Sequence, residues 1–330
     1  MKILNTNVPK GKKTIINLNI AKLHTGTSLS VPIIIQRGKK DGPCILFSAG
    51  IHGDEINGVE IVRQIISNKF NIPECGTVIC IPVINVFGFL NQEREFPDGR
   101  DLNRMFPGSK RGSLASRFAY YLIKEIVPHI DYCIDFHTGG DMRFNYSQIR
   151  VDASCVETLE LAQIFGVKFI KDAETRDKSF RKTLADMGKK VLLFEGGKTL
   201  NLDRLVTVNG INGALRVMSY LGIRDFSNEL KERSASRTEL QTLIKSSKWI
   251  RAKHSGMFRS HIRIGTFVKK DEIIGSITDP YGNFESNIKS GFNGYIICAN
   301  HAALVNQGDA LFHISKDIIE ADEKISHRLH

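Results

Sequence analysis

The chain has 330 residues, 42% of them hydrophobic, enough to bury a substantial core and more than the usual single domain. Its formal charge is +11, but the basic residues spread from Lys2 to Arg328 without a dominant run or an aromatic-interleaved stripe, so no nucleic-acid partner is expected. No segment approaches a membrane span, and residues 1–7 turn polar at once without the apolar stretch of a secretory signal; a cytoplasmic protein is expected. The six cysteines form no C-x-x-C pair, and Cys44, Cys80, Cys133 and Cys298 lie in apolar runs, which reads as free buried thiols. No phosphate-loop, dinucleotide or serine-hydrolase motif occurs in a suitable setting.

The first informative element is the apolar run from Cys44 to Ala49, of strand length, followed by Gly50, His52, Gly53, Asp54 and Glu55. From Glu55 to Ser67 the residues Ile56, Val59, Ile61, Val62, Ile65 and Ile66 fall mainly on one face, which predicts a helix packed on a sheet. His52 and Glu55 thus sit at a strand-to-helix corner. Catalytic zinc typically takes two His and one Glu and keeps a position open for water. Taken alone, the pair is better explained as an ordinary polar contact. The next segment, Arg94 to Gly108, is a polar loop with two Pro and two Gly. Its Arg94, Asn103 and Arg104 suit anion binding, although composition alone favours a solvated basic loop.

A second strand-like run, from Asp131 to Phe136, ends in His137, Thr138, Gly139 and Gly140, which makes His137 the third ligand candidate. Asp135 lies two residues earlier, on the same side of a strand, placed to orient the His137 ring or to pair with an arginine. Phe144, Tyr146 and Arg150 are candidate cleft-wall residues, with plain surface positions as the alternative. A third run, Val191 to Phe194, is closed by Glu195, Gly196 and Gly197, and Glu195 is the candidate general base. Three strand ends, each with a ligand or base followed by glycine, suit a site beyond the carboxyl edge of an open α/β sheet. Lys168 and Lys171 through Lys190 add local positive charge that could steer an anionic substrate.

The order H-G-D-E, D-L-N-R-x-F-P-G, D-x-H-T-G-G and F-E-G-G over residues 45–200 resembles the succinylglutamate desuccinylase and aspartoacylase family, within the zinc carboxypeptidase-like superfamily. The resemblance implies a mixed central sheet flanked by helices, one zinc ion on His52, Glu55 and His137, and Glu195 as base. It further implies that Arg94 polarises the scissile carbonyl and that Asn103 and Arg104 hold the substrate carboxylate. The expected activity is zinc-dependent cleavage of an amide bond in a small, anionic N-acyl amino acid or related compound. The alternatives are a metallocarboxypeptidase and a non-catalytic carboxylate-binding protein. No membrane partner is expected, and a homo-oligomer is compatible with the sequence.

Near residue 230 the chain becomes polar and charged, which places a boundary between a catalytic α/β domain, 1–235, and a β domain with a short polar tail, 236–330. The later part repeats: Val268 to Ile277 aligns without gaps to Val305 to Ile314. It resembles the biotinyl/lipoyl-like barrel-sandwich domain found in many members of this family. Pro280 stands where a carrier lysine would be expected, so a lid or cleft wall is the expected role. His254, His261, His301 and His313 are read as ordinary strand or surface residues, with a second metal site as the alternative.

Overall fold

The computed structural model describes residues 1–22, 26, 28–233 and 240–320. Two long antiparallel strands, β1 (Lys13–Lys22) and β2 (Ser28–Arg37), lead into β3 (Lys40–Ala49), helix α1 (Ile56–Ser67) and β4 (Cys75–Ile81). Helix α2 (Val86–Asn91), a 3-10 turn at Leu102–Arg104 and helix α3 (Leu114–Ile126) precede β5 (Tyr132–Gly139) and β6 (Arg143–Val151). Helix α4 (Val156–Phe165), β7 (Phe169–Asp172), α5 (Phe180–Asp186), β8 (Lys190–Lys198), α6 (Arg204–Tyr220) and α7 (Ser227–Arg233) complete this part. Strands β4, β3, β5 and β8 run parallel to their neighbours in that order, while β2 on β4 and β6 on β8 are antiparallel, so the sheet is mixed, as expected.

Parallel strands buried on both faces alternate between two apolar layers. Ile45, Phe47, Ile134, Phe136, Leu192 and Phe194 face α1, α4 and α6 and pack with Ile61, Phe165 and Leu215. Cys44, Leu46, Cys133 and Val191 face the other way, toward Phe118 and Leu122 of α3. The same alternation carries Asp135, His137 and Glu195 to the α3 face at the carboxyl ends of their strands. Register completes the arrangement: Glu195 lies directly beside His137 on one side and Gln148 on the other, and Leu193 beside Asp135 and Arg150.

The later strands do not form a separate bead on a linker. They are β9 (Thr242–Ile244), β10 (Ser247–Arg251), β11 (Gly256–Ser260), β12 (Ile273–Thr278), β13 (Glu285–Lys289), β14 (Gly294–Asn300), β15 (Ala310–Ser315) and β16 (Ile318–Glu320). One edge of β6 is shared. Its first half pairs with β14, Asn145 opposite Cys298, and its second half with β7, which in turn pairs with β9. Strands β11, β12 and β13, with Leu304–Val305, make a second sheet over their own core of Phe258, Ile274, Ile277 and Phe312. The expected boundary at 235/236 and the polar tail from Ala321 lie outside the described residues.

The repeat has a structural counterpart. Val268 and Val305, Ile274 and Leu311, and Ile277 and Ile314 are all buried at matching positions. Asp271 and Gly308, also matched, both adopt left-handed backbone, φ 67° and 93°. Among the described residues no helix is long and apolar enough to cross a membrane. All six cysteines are free thiols, with the four expected ones buried.

Candidate active site

The corner after β3 is shaped by its glycines. Gly50 takes φ +60°, and a Cβ on Gly53 would lie 1.8 Å from the carbonyl carbon of Gly88, so only glycine lets the α2 backbone pass there. Helix α1 starts one residue later than the sequence predicts. Glu55 is its N-cap residue, yet the carboxylate makes no capping bond, because both oxygens are taken by groups in the site.

Glu55 Oε1 lies 2.6 Å from His52 Nδ1, and Oε2 lies 2.9 Å from His137 Nδ1 and accepts the Thr138 N–H at 3.0 Å. The outward ring nitrogens are held as well. His52 Nε2 is 3.2 Å from Asp101 Oδ1, and His137 Nε2 is 2.8 Å from Asp135 Oδ2, whose other oxygen accepts the Ser48 hydroxyl at 2.7 Å. Each imidazole is therefore oriented with Nδ1 toward Glu55, the tautomer-fixing arrangement that metal-ligating histidines use. His52, Glu55 and His137 are buried, and one ligand atom from each lies within 4.8 Å of the others: a group that could hold a metal ion. Among the described residues it is the only such group.

The electrostatics agree with the geometry. Burial lowers the proton affinity of His137, but Asp135 and Glu55 outweigh it and hold the ring well above its ordinary value. In His52 burial is likewise outweighed, by Glu55 and Asp101. Burial works to raise Glu55, and the two imidazoles overcome it and hold the carboxyl well below the usual range. The corner is thus built to keep positive charge against Glu55, carried by protons or by a cation.

The other expected residues surround this group. Arg94 bridges Asp101 Oδ2 at 2.8 Å and Glu55 Oε1 at 3.4 Å. Its charge is reinforced, since burial works against it but Asp101 outweighs the loss. Asn103 is buried, its side-chain oxygen accepting the Phe180 N–H at 2.8 Å, and half-exposed Arg104 donates to the Asn103 carbonyl at 2.7 Å. Glu195 sits across from His137 by strand register, with Oε2 accepting from Asn145 Nδ2 at 2.7 Å and Oε1 3.2 Å from Arg150 Nη1. Asp135 orients His137, the first of its two expected readings.

Some residues here carried no readable sequence signal of their role. Asp101 belongs to the D-L-N-R segment, but its bond to His52 spans 49 positions, beyond any local pattern. Asn145 has no motif. Of the candidate wall residues, Arg150 reaches Glu195, Phe144 stacks on His301 of the later strands, and Tyr146 packs against Phe169. His313 stacks on Trp249, His261 bonds Ser276 and His254 abuts Phe284, so these four histidines do not converge.

The fold and site together are a mixed α/β sheet with a two-His, one-Glu group, able to hold a metal ion, at the carboxyl ends of its parallel strands. The comparisons narrow it. Residues 41–221 match the model of the succinylglutamate desuccinylase/aspartoacylase catalytic domain, and the chain belongs to this family. It is 26% identical over 311 residues to an N-alpha-acetyl-L-2,4-diaminobutyric acid deacetylase of Halomonas elongata, covering 89% of this chain and 87% of the other. Among solved structures, a succinylglutamate desuccinylase/aspartoacylase from Rhodobacter sphaeroides superposes with a TM-score of 0.81 at 22% identity, covering 96% of this chain and 100% of that one. The product-bound ectoine utilization protein EutE (DoeB) of Ruegeria pomeroyi gives 0.79 at 18%, covering 94% and 97%. The family and the relative's name point to deacylase activity.

Proposed function

We propose that this chain is a zinc-dependent amidohydrolase that removes the acyl group from a small N-acyl amino acid or a related carboxylate-bearing amide. The observation that carries the reading is the His52, Glu55 and His137 group, each outer ring nitrogen fixed by a carboxylate, with Glu195 on the neighbouring strand end. The donor set, two imidazole nitrogens and one carboxylate, fits zinc. When bound, zinc acidifies a water molecule and polarises a carbonyl.

The protein's own groups then have defined tasks. Glu195 takes the proton of the attacking water and returns it to the leaving nitrogen, so that a C–O bond forms, the amide C–N bond breaks, and a carboxylate and an amine leave. Asn145 and Arg150, one on each oxygen, hold the Glu195 carboxylate in place. Arg94, anchored on Asp101 and Glu55, directs positive charge at the scissile carbonyl oxygen. Arg104 and the Asn103 amide nitrogen, whose orientation is fixed by the Phe180 N–H, receive the free carboxylate of the substrate.

The later strands serve as a cleft wall, a reading supported by the β14–β6 ladder at Asn145, and their repeat supports a biotinyl/lipoyl-like barrel-sandwich. A cytoplasmic enzyme of two domains fits this role. Metal analysis followed by a panel of N-acyl amino acids and dipeptides tests the reading. Zinc with deacylation of N-acyl amino acids is the expected result. Hydrolysis of dipeptides alone would make the chain a carboxypeptidase, and zinc without any hydrolysis would make it a carboxylate binder.

A further inference from the structure

The ladder that carries Glu195 breaks directly after it. Its register partners are His137 on β5 and Gln148 on β6, and on both edges the register shifts before the next pairs, Lys198 with Gly139 and Gly197 with Asn145. Gly197 takes φ +75°, the local irregularity that strands commonly show beside a functional site. The backbone leaving Glu195 is therefore fixed by other contacts, and these lead to the two corners that carry the metal-ligand candidates.

Thr199 N–H donates to the Gly139 carbonyl at 3.1 Å, and the Thr199 hydroxyl donates to the Asp141 carbonyl, both just past His137. Leu200 N–H donates to the Asp54 carbonyl at 2.9 Å, beside Glu55. Asp203 N–H donates to the side-chain oxygen of Asn57 at 2.6 Å, in the first turn of α1. The Asn57 amide nitrogen donates to the Thr207 hydroxyl at 3.2 Å, which in turn donates to the Asp203 carbonyl at 2.8 Å. Asp203 is also the N-cap of α6, its carboxylate accepting the Val206 N–H at 2.9 Å. Asn57 and Thr199 are both buried. Between these two pins Leu200, more than half exposed, sits in left-handed backbone at φ 49°. A residue other than glycine persists there where surrounding contacts over-determine it, and such positions cluster at functional sites.

We propose that Asn57 and Thr199 are positioning residues for Glu195. By pinning residues 197–203 to α1 and to the turn after β5, they set the carboxylate at a fixed place relative to His52, Glu55 and His137. Neither side chain has to touch substrate. The catalytic consequence rests on the amidohydrolase reading; the pinning does not.

The test uses the full chain loaded with zinc and the variants Asn57→Leu, Thr199→Val, Thr199→Ser and Asn57→Leu with Thr199→Val. Leucine keeps the shape of Asn57 and removes both of its bonds. Thr199→Val removes only a hydroxyl and carries the test if Asn57→Leu fails to fold; Thr199→Ser restores the hydroxyl. Hydrogen exchange followed by mass spectrometry should show residues 193–203 losing about tenfold in protection in each folded Leu or Val variant, with β3 unchanged. Zinc content should stay at the parental level. In hydrolysis of N-acetylglutamate and N-acetyl-2,4-diaminobutyrate, kcat should fall about tenfold or more with KM within about twofold. Thr199→Ser should recover most of that loss, and the double variant should lose about as much as the worse single one, because both pins hold one segment. Unchanged exchange over residues 193–203 in the folded variants, or kcat per zinc-loaded chain kept at the parental value despite a lower Tm, would overturn the proposal. Faster exchange in the variants of a parent that hydrolyses no amide supports the pinning and refutes the amidohydrolase reading.

Discussion

At the ends of β3 and β5 every imidazole nitrogen and both oxygens of Glu55 have partners, whereas Arg181 Nη1 and Arg150 Nε have none among the described residues. The first carries its own carboxylates, Asp101 and Asp135, whereas in the second Arg150 and Arg181 repel one another beside Glu195. Where outer atoms are fixed and inner donors converge, the group could hold a metal ion. Where buried donors lack acceptors, their burial is a cost to the fold.

Glu195 belongs to both regions, and its replacement should have the largest effect. Glu195→Gln is expected to retain metal and lose about 10²–10⁴-fold in turnover. Stopped assays with parallel metal analysis check this, and a parental rate would remove Glu195 from the role of base. Next come the carboxylates that fix the ligand rings. Asp135→Asn and Asp101→Asn should each weaken metal affinity by about 10–100-fold, measured by competition with a chelator. If neither moves it, the balanced corner is a polar cluster and not a metal site.

Much of the balanced corner was legible because strand alternation and glycine turns are local. His52 with Glu55, His137 with Asp135, and Glu195 each announce themselves at the end of an apolar run, and the repeat at Val268 and Val305 needs no partner outside itself. What escaped is made by pairing across long separations. Asp101 on His52, Asn145 on Glu195 and the β14–β6 ladder depend on which strand edges meet, and alternation does not encode that. For the same reason Arg150 could be read only as a wall or a surface residue, and Arg181 only as part of the basic stretch from Lys171 through Lys190: their place follows from register on β6 and from the path of the chain after β7.

The central claim is tested most directly by zinc content and hydrolysis measured together on the parent, His137→Ala and Glu195→Gln proteins. A single zinc per chain in the parent and Glu195→Gln, little or none in His137→Ala, and release of the acyl group from N-acyl amino acids by the parent alone is the predicted result. Undiminished hydrolysis by His137→Ala, or by parent protein stripped of metal, would contradict it.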